Sequence, residues 1–382
     1  MKPVIPLARP DLGPDAAAAV ADVLASGWLV QGPAVAAFEG LVAQRCAVPH
    51  GVACSSGTAA LHLALEALQL PRGSKVVVPG YTFPATINVV LLSGLVPVIA
   101  DVDPATFNVD VDSALRAFDG DDGSTDGSTA AVLLAVHQFG LPAPLEVLGP
   151  ACVERGMVVI EDAACALGAS LEIEGRPRPA GSLGAMGCFS FHPRKIVTTG
   201  EGGMVTTGDA ELDERLRRLR NHGMQAGPDG LLFVEAGFNY RLTEMQGALG
   251  VSQMARLDDL LADRQRIAAG YLARLPALER LGVLPPVVPA GATPTWQTFQ
   301  CRIPATADLD QVIGSMRAEG VEVNFGAHAL HQHPAYSEAL RASTGLRGAT
   351  EARARGLALP VPGGLTDREM DRVIDTLAAV VR

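Results

Sequence analysis

The fold class is indicated first by one continuous stretch, GVACSSGTAALHLALEALQLPRGSKVVVP (51–79). It begins with a short apolar run at 51–54, continues with apolar residues at helical spacing over 58–70, and ends in a Val-rich run at 75–79. Short Val-rich runs without polar alternation are typical of strands that helices cover on both faces. The stretch therefore predicts a strand, a helix and a second strand, the repeating unit of α/β proteins.

The same alternation continues along the chain to about residue 208. Further strands are predicted at 96–100, 130–136, 157–162, 188–191 and 203–207. Short strands that alternate with helical segments indicate a mostly parallel central sheet between layers of helices. After Ala210 the pattern is mainly helical.

A Pro-, Gly- and Val-rich segment at 276–294 indicates a crossing into a second, smaller unit. We predict a large domain over 1–275, whose first 30 residues form an arm that packs elsewhere, and a small α+β domain over 276–382. In the small domain we expect strands at 296–303 and 321–325, a helix at 308–320, and a closing helix from Thr366. The acidic, low-complexity run at 119–129 predicts a surface loop.

Composition narrows the classes of function. The chain has 382 residues, 48% of them hydrophobic, and a net charge of −11, which is typical of a packed globular enzyme and speaks against nucleic-acid binding. Its six cysteines form no CxxC pair, which indicates reduced thiols and no zinc site. The N-terminus lacks an apolar signal region, and the apolar run 87–100 is too short for a membrane span. We therefore expect a cytoplasmic protein without membrane or nucleic-acid partners.

Two short segments could hold an anion and a cationic ring. Ser56, Gly57 and Thr58 open a predicted helix, where free N–H groups and hydroxyls suit a phosphate. Asp162 ends an apolar strand, at the sheet edge where ligands bind in α/β folds, and could keep a pyridine nitrogen protonated. Each segment has a simpler interpretation, because Ser56 could merely cap its helix and Asp162 the next turn.

A third segment, FSFHPRK (189–195), places an amine after a strand and before a Gly-rich turn. A lysine that forms a Schiff base must be desolvated or lie near other charges, as Lys195 would be there. Ser190, five residues upstream, could donate to a phosphate. A lone lysine is more often a solvated surface residue. The order and spacing of the three segments are more specific than any one of them.

The whole chain resembles the DegT/StrS family of sugar aminotransferases that depend on pyridoxal 5′-phosphate (PLP). The resemblance is carried by ordered stretches along almost its entire length: SGWLVQGPAVAAFE, SSGTAALHLAL, VVVPGYTFPATINVVLLSGLVPVIADVDPATFNVD, HQFGLPAP, VIEDAACALGAS, GSLGAMGCFSFHPRK, TTGEGGMVTT, GFNYRLTEMQGAL, ALHQHPAY and LALPVPGGLTDREMDRVI. It implies the α/β architecture of a fold-type I PLP transferase, with a large domain and a smaller C-terminal domain.

The resemblance also implies roles for individual residues. Lys195 falls on the Schiff-base lysine, and Asp162 on the partner of the pyridine nitrogen. Gly57 and Thr58, with Ser56 beside them, fall on the phosphate contacts, as does the hydroxyl of Ser190.

Further cofactor positions follow from the same resemblance. Phe83 falls on the aromatic residue that stacks on the cofactor ring. Cys165 stands where relatives usually carry His or Gln to hydrogen-bond the phenolic oxygen, and a thiol is a poorer partner. Asn239 and Arg241 lie on a segment that reaches the phosphate from a second subunit, which implies a homodimer with shared active sites.

Trp28 and His331 are the candidates for substrate contacts. In relatives, the segment around Trp28 lies near the active-site mouth, and His331 matches a position near the substrate pocket. His137, His328 and His333 could suggest a metal cluster together with His331, but structural roles suit them better, and no metal site is predicted.

The implied reaction transfers an amino group, with glutamate as donor, to a nucleotide-linked 3- or 4-keto sugar by a ping-pong mechanism. A keto-cyclitol or an aminobenzoate-type precursor is an alternative acceptor. A regulatory protein that keeps the fold without turnover is the alternative of another class, and the presence of Lys195, Asp162 and Ser190 speaks against it.

Overall fold

The computed structural model describes residues 3–120, 130–336, 340 and 345–382. Most of the predicted acidic loop at 119–129 lies outside the described residues. The helices are α1 Ala16–Ser26, α2 Pro33–Arg45, α3 Gly57–Ala67, α4 Ala85–Leu92, α5 Val111–Phe118, α6 Leu145–Glu154, α7 Ala210–Leu219, α8 Glu244–Met254, α9 Leu257–Arg274, α10 Leu309–Ala318, α11 Arg347–Arg355 and α12 Asp367–Val380.

The strands are β1 His50–Cys54, β2 Lys75–Pro79, β3 Tyr81–Thr82, β4 Val96–Ala100, β5 Val132–Val136, β6 Val158–Asp162, β7 Ser170–Ile173, β8 Arg176–Pro179, β9 Met186–Ser190, β10 Gly203–Thr207, β11 Met224–Gly227, β12 Gly230–Phe233, β13 Ala292–Thr293, β14 Phe299–Arg302, β15 His328–Ala329 and β16 Gly356–Leu359.

The central sheet has seven strands in the order β1-β10-β9-β6-β5-β2-β4. β10 runs antiparallel to both of its neighbours, β1 and β9, and the other pairings in this sheet are parallel. Every residue of β2, β5 and β10 is buried, which explains why their sequences show no polar alternation. The predicted α/β fold with a mostly parallel sheet is confirmed.

Strand register brings three chain segments to one edge of this sheet. Cys54 at the end of β1 pairs with Gly203, and Gly203 pairs with Ser190 at the end of β9. Asp162 at the end of β6 pairs with Cys188, two residues before Ser190. The carboxyl ends of β1, β6 and β9 therefore lie side by side, where α/β sheets bind their ligands.

A separate hydrophobic core lies in the C-terminal part of the chain. It joins buried residues of α10, α12, β14 and β16 to the second half of α9 and to Ile5. Ile5 reaches it because its N–H donates to the carbonyl of Gly320, 2.9 Å away. The start of the chain thus packs against the C-terminal region, while the boundary at 275/276 stays a prediction.

The strand expected at 321–325 is absent, and this prediction was wrong. Val321 and Asn324 form only isolated bridges, to Ile5 and Ala358. The apolar residues there are buried in the C-terminal core, so their pattern reflects packing rather than a ladder. None of the helices in the described ranges is both long and apolar enough to cross a lipid bilayer.

Candidate active site

A cavity of about 380 Å³ lies at the carboxyl ends of the central strands. It is lined by eight of the residues expected to bind the cofactor, together with others from both parts of the chain. The eight are Ser56, Gly57, Thr58, Phe83, Asp162, Cys165, Ser190 and Lys195. Residues from four separate strand ends and loops are thus gathered on one concave surface.

One wall of the cavity is the N-terminus of α3. The Ser56 hydroxyl caps this helix by accepting the N–H of Ala59 at 3.1 Å, which leaves earlier N–H groups without helical partners. A Cβ on Gly57 would lie 2.7 Å from the Cβ of Ser190, so only glycine allows these segments to approach so closely. Free N–H groups, the helix dipole and the Ser190 hydroxyl together suit a phosphate.

Asp162 provides a buried carboxylate on the same cavity, with only 6% of the residue exposed. Its Oδ2 accepts the hydroxyl of Thr86 at 2.9 Å, and its Oδ1 accepts the N–H of Ala164 at 3.2 Å. Burial raises the pKa of this carboxyl above its usual range, while the two hydrogen bonds and the charge of Lys195 act in the opposite direction. A cation placed beside Asp162 would relieve that cost of burial.

The neighbouring carboxylate, Glu161, is fully buried and organises the loop behind the cavity. It accepts N–H groups of Gly181, Leu183 and Gly184 at 2.7–2.9 Å and lies 2.8 Å from Nε2 of His137. Nδ1 of His137 accepts the N–H of Ala143, so Nε2 carries the proton that bonds Glu161. His137 is therefore a structural partner of Glu161 in this chain.

Lys195 lies in the turn after β9, where its N–H donates to the carbonyl of His192 at 2.8 Å. Its Nζ donates to Sγ of Cys165, 3.2 Å away. The hydroxyl of Thr295 holds the Cys165 carbonyl at 2.7 Å and so fixes this segment. The family resemblance places Cys165 beside the cofactor's phenolic oxygen, and that role stays a prediction.

Two residues that contact the site are not indicated by the sequence, and of these Gln297 lines the cavity. Thr86, on α4, holds Asp162 from 76 positions away. Gln297 is 6% exposed; its Nε2 donates to the Arg194 carbonyl, and its buried Oε1 has no partner among the described residues. Neither residue could be found by spacing, because each contact depends on the folded arrangement of distant segments.

Phe83 keeps 59% of its surface exposed, leaving a ring face free towards the cavity. A free aromatic face, a phosphate cup, a buried carboxylate and an amine on one surface are the groups that a phosphorylated pyridine aldehyde requires. The residues present therefore fit PLP.

Four predicted site residues do not line this cavity: Trp28, Asn239, Arg241 and His331. Trp28 is 58% exposed and donates to the Gln31 carbonyl, and His331 bonds the Thr350 hydroxyl at another cavity. Arg241 donates to Oδ1 of Asn221 at 2.7 Å, and Asn239 forms a bridge with the same residue.

Comparison with known proteins adds the family. The model of the DegT/DnrJ/EryC1/StrS aminotransferase family matches residues 10–378. The chain is 36% identical over 381 residues to GDP-perosamine synthase of Caulobacter vibrioides, covering 99% of each protein. It is 33% identical over 394 residues to dTDP-4-dehydro-2,3,6-trideoxy-D-glucose 4-aminotransferase of Saccharopolyspora spinosa, covering 99% of this chain and 97% of that protein.

The fold matches the crystal structure of DesV from S. venezuelae in complex with a ketimine intermediate. The TM-score is 0.88 at 31% identity, with 100% of this chain and 99% of that chain covered. This similarity confirms the predicted fold-type I architecture. The chain belongs to the DegT/DnrJ/EryC1/StrS aminotransferase family and is a PLP-dependent aminotransferase.

Proposed function

We propose that this aminotransferase transfers an amino group from glutamate to a 3- or 4-keto sugar carried on a nucleotide. The observation that supports this acceptor is the pair of full-length relatives, one named for a GDP-linked sugar and the other for a dTDP-linked dehydro sugar. No observation on this chain favours a cyclitol or aminobenzoate precursor.

We assign the catalytic roles to Lys195 and Asp162. PLP, when bound, supplies an aldehyde that condenses with amines and a protonated ring that accepts electrons. The Nζ of Lys195 would hold the cofactor at rest. Once released, it would take the proton from the amino-bearing carbon of the donor and pass it to the former aldehyde carbon, and in the second half of the reaction it would move a proton in the opposite direction, onto the acceptor carbon. The carboxylate of Asp162, buried and fixed by Thr86, keeps the ring nitrogen protonated.

The remaining cavity residues bind the cofactor and orient the reactive amine. The N–H groups at Gly57 and Thr58 and the hydroxyls of Ser56 and Ser190 hold the phosphate in this proposal. Phe83 covers the ring, and Cys165 orients the amine of Lys195, which it contacts at 3.2 Å.

A second copy of the chain completes the site in this proposal. Asn239 and Arg241 follow an exposed apolar segment in which Leu231, Leu232 and Phe233 are 51–69% exposed, a surface typical of a subunit contact. From a partner, these two residues would reach the phosphate, and Trp28 and His331 would border the sugar site. The proposal includes a cytoplasmic homodimer and the two-domain division near residue 275.

The first experiment tests Lys195 directly. Borohydride reduction of the PLP-loaded protein should fix the cofactor mass on one peptide. The chain contains three lysines, Lys2, Lys75 and Lys195, so the labelled peptide identifies the reactive amine without ambiguity. Lys195→Ala should lose both the label and the visible absorbance while it stays folded by circular dichroism. A label on the peptide of Lys2 or Lys75 would overturn the assignment.

The second experiment tests the acceptor. Glutamate should convert the loaded enzyme to its amine form, and a true acceptor should restore the original absorbance. We expect GDP- or dTDP-linked keto sugars to restore it and keto-cyclitols to leave it unchanged. Restoration by a cyclitol but by no nucleotide sugar would replace the proposed substrate class.

A further inference from the structure

A second cavity, of about 240 Å³, adjoins the active-site cavity, and Lys195 lines both. Its walls come from the segments 9–11, 195–198, 256–264 and 363–364. The space is several times the roughly 30 Å³ that one water takes in the liquid, so it can admit a small molecule. None of its residues except Lys195 has a role in the reaction above.

Some of the charged side chains that line this cavity already have partners within the protein. Arg256 forms a double hydrogen bond with the carboxylate of Asp11, at 3.0 and 2.8 Å. Asp263 accepts Arg266 and the N–H of Gly364, both at 2.7 Å. These groups already have partners within the protein.

Arg264 has none. It is 7% exposed, its Nη1 is buried, and within the described ranges its guanidinium has no hydrogen bond and no ion pair. Desolvation lowers the pKa of Arg264 to about 10, while the charge of the neighbouring Asp263 acts in the opposite direction, so the side chain still carries its charge at pH 7. A buried guanidinium without a hydrogen bond or ion pair is costly, and an anion bound beside it would lower that cost.

A further arginine, Arg9, is exposed and lines the same cavity. It too makes no ion pair with any residue that the structure describes. The cavity therefore combines a buried arginine that lacks a hydrogen bond with an exposed one, which is the arrangement expected of a binding site for an anion from solution.

We propose that this cavity is an accessory binding site for a small carboxylate, held by the guanidinium of Arg264. A carboxylate is planar and matches the two parallel N–H groups of a guanidinium. The site is separate from the phosphate cup at Gly57 and does not depend on the identity of the sugar acceptor.

The test measures binding of glutarate to the full chain with PLP bound, by isothermal titration calorimetry. Glutarate is a dicarboxylate without an amino group, so it cannot be turned over. We expect Arg264→Met to weaken its binding at least about tenfold, because the charge-assisted hydrogen bonds are lost. The matched control is Asp11→Asn combined with Arg256→Gln, which removes a pair that is already neutral on the same cavity and should keep the wild-type affinity.

Melting temperatures provide a second readout. Without added anion, Arg264→Met should melt no lower than the wild type, since a buried unpaired charge is removed. Glutarate should raise the melting temperature of the wild type but not that of the variant. If Arg264→Met does not fold, Arg264→Lys, which keeps the charge but loses the planar pair of donors, should show the same weakening.

Three results would overturn the proposal. Equal glutarate affinity in the wild type and the Arg264 variants would place the ligand elsewhere, for instance in the active-site cavity. A response to inorganic phosphate without a response to glutarate would contradict the carboxylate assignment. The absence of any anion response in the wild type would leave the cavity filled by water alone. Loss of sugar transamination with intact glutarate binding would affect only the function proposed above.

Discussion

Glu161 and Asp162 are consecutive buried carboxylates at the end of one strand, yet their surroundings differ. Successive side chains of a strand point to opposite faces of the sheet. Glu161 meets four donors, three of them backbone N–H groups and the fourth the Nε2–H of His137. Asp162 meets two donors, from Thr86 and Ala164, and lines the cavity.

The difference separates a structural carboxylate from a functional one. A carboxylate with four donors has its lone pairs satisfied by the protein itself. A buried carboxylate with two donors keeps capacity for a further partner, and its raised pKa shows that burial is not fully compensated. Glu161 therefore stabilises the fold, whereas Asp162 can still accept a partner from a bound ligand.

The largest expected effect is on stability, from Glu161→Gln. The amide would turn an NH₂ group towards backbone N–H donors, so we expect a loss of about 3–5 kcal/mol in the free energy of unfolding. Urea denaturation of the PLP-loaded protein measures it. Activity per folded molecule should stay near the wild-type value, because Glu161 does not line the cavity.

A more exposed pair of the same two residue types provides the control. His62 and Glu66 also form a histidine–glutamate pair, at 3.5 Å, and Glu66 is about one-third exposed. Glu66→Gln should cost at most about 1 kcal/mol. Equal losses of unfolding free energy in the two variants would show that Glu161 is an ordinary ion-pair partner. The structural role that distinguishes it from Asp162 would then be contradicted.

The next effect is on the rate, from Asp162→Asn. The amide keeps the size and one acceptor but cannot hold the ring nitrogen protonated, so we expect kcat to fall at least about a hundredfold. Cofactor should still bind, as judged by its absorbance, because the phosphate cup is untouched. A variant with wild-type kcat would remove Asp162 from the catalytic machinery.

Some strands of the fold could be predicted from the sequence and others could not. Strands β2, β4 and β10 were predicted to the residue, because unbroken apolar runs between turn residues have few other solutions in an α/β chain. The short hairpin β11–β12 was missed, since its exposed strands carry no buried face to create a pattern. The run 321–325 was predicted wrongly because burial in the C-terminal core produces the same apolar pattern as a strand.

For the site, sequence placed the strand-end residues but not their supporting contacts. The order of the motifs placed Asp162 and Ser190 at neighbouring strand ends and Lys195 in the turn that follows Ser190, and the structure has them there, while their catalytic roles stay a prediction. The sequence could not assign the four donors to Glu161 or the hydroxyl of Thr86 to Asp162, since these pairs form across 20 or more residues. Whether a carboxylate is satisfied or free depends on such contacts.

The smallest expected effect is the pH dependence of stability in the cofactor-free protein. Because the pKa of Asp162 is raised in the folded state, that state favours the protonated carboxyl. Its contribution to stability is therefore fully present below the unfolded-state value of 3.8 and is lost as pH rises through the folded-state pKa. Asp162→Asn does not titrate, so without cofactor it should melt about 2–4 °C above the wild type at pH 7, with the gap closing towards pH 4.

Binding of PLP should reverse this order of melting temperatures. With PLP bound, the protonated ring nitrogen gives Asp162 the partner that the protein lacks, so the wild type should melt above Asp162→Asn at pH 7. Differential scanning fluorimetry at several pH values, with and without PLP, measures both comparisons. Such a reversal is expected only of a carboxylate that lacks a cationic partner until the ligand binds. If the protein itself satisfied the carboxylate, the melting temperatures of the two proteins would follow the same order with and without PLP.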